Sequence, residues 1–152
     1  MEKISLKPAT KQDKSLVVSF DYALDKDEHI KLNREAKITK AIADNECFII
    51  FADSKAVGFV LFDYRFFGNG WIELIVIDEK QRGKGIGGQV FDLIGKQCKT
   101  KKLFTSTNSS NLRMQKALVK SGFTFAGEIN GLDEDDPELF YYKINTLNNN
   151  TL

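Results

Sequence analysis

Several things are scarce in this chain of 152 residues, and each scarcity closes a route to function. There is one histidine, His29, in the polar stretch KDEHIK, so no nucleophilic triad can be assembled around it and a surface position is expected. There are two cysteines, Cys47 and Cys98, with no CxxC and no clustered histidines. That pattern speaks against a metal site, and both are read as reduced thiols that pack as small hydrophobes. Charge of either sign is nearly cancelled: 22 basic residues face 21 acidic ones, which offers no bulk attraction to nucleic acid. No apolar run approaches the ~18 residues of a membrane span. The opening MEKISLKPATKQDK carries charge where a signal peptide would need an apolar core, so a cytoplasmic location is expected.

What is present is an ordinary globular composition, 42% hydrophobic and 28% charged, at a length suited to one core. We expect a single domain over residues 1–145 and a polar tail, TLNNNTL, over 146–152. KISLKP (3–8) alternates and stops at Pro8, so it reads as a strand. Thr10 and Asp13 resemble a capping box that opens a helix through Leu16, Val17, Phe20 and Leu24. Leu32, Glu35, Ala36, Thr39, Ile42 and Ala43 fall at helical spacing and predict a second helix ending near Asn45. CFIIFAD and AVGFVLFDYRFF predict a hairpin about Ser54 and Lys55, and GNG (68–70) the next turn. WIELIVID (71–78) is then a central strand whose one carboxylate before its end is Glu73. Ile86, Val90, Leu93, Ile94 and Cys98 mark a third helix, KLFTST (102–107) a parallel strand after it, and Met114, Ala117 and Leu118 a fourth helix closed by Gly122. TFAGEI and ELFYYKI supply the last two strands, with DEDDPE (133–138) between them. The expected class is α/β (α+β), a mixed sheet of about seven strands with about four helices.

The stretch from Arg82 to Gly88, RGKGIGG, interleaves four glycines with Arg82 and Lys84 between a strand and a helix. Gly83, Gly85 and Gly88 satisfy G-x-G-x-x-G, yet four residues separate the strand from Gly83, and the following strand ends in Thr105, Ser106 and Thr107 with no acid for a ribose. A P-loop would need a hydroxyl where Ile86 stands. What is left is a turn whose backbone N–H groups converge at the positive end of a helix, with two cations beside it, which suits a pyrophosphate.

At this point the chain resembles the GNAT (GCN5-related) N-acetyltransferases. Arg82, Gly85 and Gly87 reproduce the R-x-x-G-x-G coenzyme signature after WIELIVID, and Asn111 followed by Gly122 and Phe123 resembles the second signature. The resemblance spans residues 3 to 145. It implies the GNAT fold, with the parallel fourth and fifth strands splayed at the coenzyme site, and acetyl-CoA as co-substrate. It places Ile75, Val76 and Ile77 along the coenzyme's pantetheine arm, Arg82, Gly83, Lys84, Gly85, Ile86, Gly87 and Gly88 at its pyrophosphate, and Asn111 on its arm. The N–H of Ile77 becomes the candidate that polarises the thioester carbonyl.

The implied chemistry is direct attack of an amine within a ternary complex. An alkyl amine with a pKa near 10.4 is mostly ammonium at pH 7, so a base is needed, and Glu73 is the candidate by position. Relatives often carry a tyrosine seven residues after the asparagine to protonate the departing thiolate. Leu118 stands there in this chain, which leaves Tyr141 and Tyr142 as the nearest candidates for an acid. DEDDPE would attract a small cationic amine if it borders the acceptor site. Acetylation of a protein N-terminus or lysine, and a non-catalytic acyl-CoA sensor, remain the alternatives. Dimers are common among such proteins, so a homodimer is a partner to test for.

Overall fold

The structure, a computed structural model, describes residues 2–21 and 27–145. Leu24, expected to continue the first helix, and the tail 146–152 lie outside the described residues. In chain order the elements are β1 (Ile4–Pro8), a 3-10 turn (Lys11–Asp13), α1 (Lys14–Ser19), α2 (Glu28–Ala43), β2 (Cys47–Ala52), β3 (Lys55–Phe66) and β4 (Asn69–Ile77). A second 3-10 turn (Glu79–Gln81), α3 (Ile86–Gln97), β5 (Lys102–Asn108), α4 (Leu112–Lys120), β6 (Thr124–Ile129) and β7 (Glu138–Ile144) follow. The strands form one mixed sheet in the order β1-β2-β3-β4-β5-β7-β6. β4 and β5 run parallel, in register from Gly70 opposite Leu103 to Ile72 opposite Thr105. β7 inserts antiparallel between β5 and β6.

By contact density the chain forms two compact units. The first comprises the residues up to Phe62 together with Leu74–Ile86. Its core is Val17 of α1, Ile38, Ala41 and Ile42 of α2, Cys47 and Ile49 of β2, Phe59 and Leu61 of β3, and Val76 of β4. Fully burying each large side chain of this set contributes about 1.5–3 kcal/mol. Entry into α1 uses the expected capping box, with Asp13 Oδ2 accepting from Thr10 N at 2.8 Å and from Thr10 Oγ1 at 3.0 Å. Burial pushes the Cys47 thiol up to about 12, so it stays protonated and inert.

The second unit comprises Asp63–Glu73 and the residues from Gly87 on. Buried Val90, Phe91 and Ile94 of α3, Leu103 of β5, Leu118 of α4, Phe123 and Tyr141 supply its apolar interior. Phe91 and Phe123 meet edge to face at 5.4 Å. Gly122 closes α4 with φ 89°, the left-handed conformation expected there.

Three expectations need correction. The buried stripe of α2 is Ile38, Ala41 and Ile42, while Leu32 is 59% exposed and Ala36 and Ala43 are not part of it. Two apolar stripes compete on this helix, and the spacing alone does not say which one the sheet meets. The first hairpin turns on Asp53 and Ser54, one residue earlier than Ser54 and Lys55, because Ala52 pairs with Lys55 and Asp53 takes φ 52°. The second turns on Phe67 and Gly68, with φ 53° and 77°, and Asn69 already belongs to β4. A two-residue turn with both φ values positive matches the right-handed twist of the strands, which explains the geometry but not the choice of phenylalanine.

Gly58 sets how β3 meets the end of β4. A Cβ there would stand 2.1 Å from the carbonyl oxygen of Val76 and 3.0 Å from the Cα of Ile77, both main-chain atoms. Only glycine lets the two backbones approach so closely. Gly58→Ala is therefore expected to lower stability by ~2 kcal/mol or more, read as a fall in Tm, while Gly88→Ala, whose Cβ would meet only the Ser121 hydroxyl at 3.3 Å, is milder. Equal Tm values for the two variants would refute this account.

Candidate active site

The first unit carries a strand end and a loop. In β4, Val76 is buried in the core while Ile75 and Ile77 are half-buried on the opposite side, as the two-residue period requires. Asp78 N donates to Val57 O at 2.8 Å and ends the strand. The Asp78 side chain accepts from Lys80 N at 3.2 Å and opens the short turn over Glu79–Gln81. Arg82 Nε donates to Ile77 O at 3.1 Å, which ties the loop back to the last residue of β4. Lys84 Nζ donates to Gln81 Oε1 at 2.9 Å.

Gly83 and Gly85 take φ values of 80° and 77°, and a Cβ at either would meet nothing within 4 Å. Their cost to a side chain is conformational, and the space over the loop is open. Arg82, Gly83, Lys84 and Gly85 are all exposed, and α3 starts immediately after them at Ile86. The first-turn N–H groups of a helix have no partners within the helix, so this open loop with two cations is chemically matched to a pyrophosphate.

In the second unit Glu73 is exposed on β4, following Gly70 and Ile72, which are buried, and Trp71, which is half-buried. Asp63 of β3 is 4% exposed. Burial pushes its carboxyl above the usual carboxylate range; the Arg65 N–H and guanidinium oppose this shift, and the charge of Glu73 adds to it. Asp63 Oδ1 accepts from Arg65 N at 2.7 Å, and Oδ2 lies 3.4 Å from Arg65 Nη1. The sequence reading missed Asp63, although it is the one acid within AVGFVLFDYRFF and could have been found as Glu73 was.

Asn111 caps α4, its Oδ1 accepting from Met114 N at 3.1 Å, which leaves the amide nitrogen as the side chain's donor group. The loop before it is held by the acidic run. Asp136 accepts from Ser109 Oγ at 2.9 Å, Ser110 N at 2.9 Å and Ser110 Oγ at 2.6 Å. These bonds hold its carboxyl below the usual range. Asn108 Nδ2 donates to Asp133 Oδ2 at 2.8 Å, and Ser106 Oγ to Glu138 Oε1 at 2.7 Å.

Leu118 is fully buried in the core beneath α4. Tyr141 is buried with its ring 5.7 Å from that of Phe125, and Tyr142 is half-buried with Phe104 at 5.8 Å and Lys102 Nζ at 5.3 Å. His29 is exposed in the first turn of α2, as expected. Among the described residues there is no group of three His, Cys, Asp or Glu that could hold a metal, and no helix is long and apolar enough to cross a membrane.

The model of the Acetyltransferase (GNAT) family matches residues 14–123. No curated protein matches the sequence. An acetyltransferase of the GNAT family from Bacillus cereus ATCC 10987 superposes with a TM-score of 0.82 at 28% identity, over 93% of this chain and 97% of that one. An acetyltransferase from Thermus thermophilus reaches 0.74 at 15% identity, over 95% and 99%. A putative streptothricin acetyltransferase from Bacillus anthracis str. Ames, in complex with acetyl coenzyme A, shares the fold at a TM-score of 0.55 and 22% identity, over 64% of this chain and 61% of that one. The loop built on Arg82 and Gly85, the parallel pair β4 and β5 and the family match over most of the chain agree, and the chain belongs to the GNAT family of acetyltransferases.

Proposed function

We propose that the protein transfers the acetyl group of acetyl-CoA to a primary amine of a small molecule, in a ternary complex. The observation that carries this reading is the loop Arg82–Gly85, with two left-handed glycines, open space above both and α3 beginning at its end. Arg82, Gly83, Lys84, Gly85, Ile86, Gly87 and Gly88 hold the pyrophosphate. Ile75, Val76 and Ile77 hold the pantetheine arm along β4, with Asn111 contributing from the start of α4. The coenzyme supplies an acetyl thioester.

The chain supplies the rest. Glu73 takes one proton of the ammonium and later passes it to solvent, and the freed nitrogen bonds to the acetyl carbon. As the carbon–sulfur bond breaks, the nitrogen gives up its second proton while the sulfur gains one, so that amide and thiol leave. The N–H of Ile77 bonds to the carbonyl oxygen as charge develops there, a contribution of about 2.7–4 kcal/mol for one such donor. Tyr141 and Tyr142 are the remaining candidates to protonate the leaving sulfur. The full burial of Leu118 favours a second reading, an acyl-CoA sensor without turnover, because the position offers no acid.

A thiol-release assay against a panel of amines separates these readings: acceptor-dependent release supports transfer, and coenzyme binding with no release for any amine supports the sensor. Gly85→Asp puts an anion and a strained backbone into the pyrophosphate loop, and calorimetry is expected to show loss of acetyl-CoA binding; unaltered affinity would remove the loop from the coenzyme site. Glu73→Gln is expected to lower kcat about 10²-fold or more with acetyl-CoA affinity kept, and the residual rate should climb toward the amine's own pKa near 10.4. A variant with the wild-type rate and pH profile would rule Glu73 out as the base.

A further inference from the structure

The second unit carries a group of aromatic side chains that the coenzyme site does not use. Phe66 stacks on Trp71 at 4.6 Å and on Phe140 at 5.6 Å, and Trp71 lies 6.0 Å from Phe140. These three rings are within 19° of parallel. Phe104 adds a fourth ring, 5.1 Å from Phe66. The register places Trp71 opposite Phe104, so both stand on one face of the sheet. All four rings are half-buried, which leaves part of the group open to solvent.

Phe67 is harder to account for by folding. It is 89% exposed and sits at φ 53°, with its ring edge-on to Phe66 at 5.1 Å. A bulky residue in left-handed backbone conformation is strained, and asparagine or glycine is the usual choice at such a turn. The chain accepts both that strain and an exposed ring, at the rim of the other four.

Charge and spacing connect this surface to the chemistry. Trp71 precedes Glu73 by two residues on β4, and the intervening Ile72 is buried, so both side chains leave the strand on its other side about 6.6–6.8 Å apart. That distance is the reach of an ammonium joined to a flat ring by a two- or three-carbon chain. The alternative attractor, the acidic loop, has Asp133, Asp136 and Glu138 already accepting from Asn108, Ser109, Ser110 and Ser106.

We infer that Phe66, Trp71, Phe104 and Phe140, with Phe67 at the rim, form the acceptor subsite for an arylalkyl amine, its ring against the aromatic group and its nitrogen at Glu73. The inference rests on the transfer reading for the role of Glu73, and on the aromatic geometry for the ring. Aromatic contacts of this kind add to binding beyond the apolar area they bury.

Trp71 is the single tryptophan of the chain, so its fluorescence reports on the subsite directly. Titration with 2-phenylethylamine is expected to change that fluorescence saturably, and spermidine to leave it unaltered. In the thiol-release assay kcat/KM for 2-phenylethylamine should exceed that for spermidine at least tenfold. Phe67→Asn, which suits the turn and should not lower Tm, should reduce that preference about fivefold or more through KM for the aryl amine, with KM for acetyl-CoA unmoved. Saturable fluorescence change without acetyl release would keep the subsite and overturn transfer. Release with silent fluorescence, a preference for spermidine, or an unchanged preference in Phe67→Asn would overturn the subsite and keep transfer. Sedimentation showing a dimer whose dissociation alone changes the fluorescence would assign the aromatic surface to a second copy of the chain and overturn the proposal.

Discussion

The approach of the Val76 carbonyl to the bare Cα of Gly58 is the constraint from which the glycine-rich loop and its strand are built. With the backbone of β4 seated there, Asp78 N reaches Val57 O and the strand ends at a defined residue. Ile77 O then accepts from Arg82 Nε, so a side chain of the loop is anchored on the strand end that precedes it. The loop depends on the strand and the strand on one missing methyl group. A glycine chosen for packing and two chosen for φ therefore serve the same site by different physical means.

The parts of this arrangement that were legible in the sequence are those enforced locally. An apolar strand with one acid, a run of alternating glycines and cations, and a glycine closing a helix each follow from steric or dipolar rules acting over a few residues, and all appear where they were read. What was not legible depends on partners distant in sequence. The stripe of α2 that is buried is decided by the sheet under it, so Ile38 and Ala41 displaced Leu32. The first hairpin turn slipped by one residue, and the second starts one residue earlier and takes two residues instead of three, because register is set by pairing across strands, not by which polar residues sit nearby. Insertion of β7 between β5 and β6, and with it the clasp of Asp136 on Ser109 and Ser110, brings together segments that nothing local connects.

That clasp changes how the acidic run is understood. As a stretch of sequence, DEDDPE is a lure for cations. In the fold, both oxygens of Asp136 accept from the loop that leads into Asn111, three donors in all, so this carboxylate works as a brace for the second signature. A field of several negative charges still surrounds the loop, and it aids the approach of any ammonium. Contact is another matter, because it is decided by spacing along the sheet, and we propose the carboxylate on β4, two residues from Trp71, as the one that meets the amine.

The buried Leu118 bears on whether chemistry happens at all, and magnitudes decide it. At pH 7 a thiol of pKa near 8.5 leaves as thiolate about 1.5 units from balance, so the absence of an acid costs about 2 kcal/mol, a factor of roughly thirty in rate. The ammonium, with a pKa near 10.4, is about 3.4 units from its reactive form, which is about 4.6 kcal/mol. The base is the larger requirement, and Glu73 of β4 is the carboxylate we propose for it. A leucine in place of the acid is thus a tolerable loss if Glu73 acts as the base we propose, while burial pushes the carboxyl of the nearby Asp63 above the usual carboxylate range and the charge of Glu73 adds to that shift. Within the transfer reading we propose, the base thus matters more than the acid, and Leu118 in the tyrosine's place does not by itself argue against turnover.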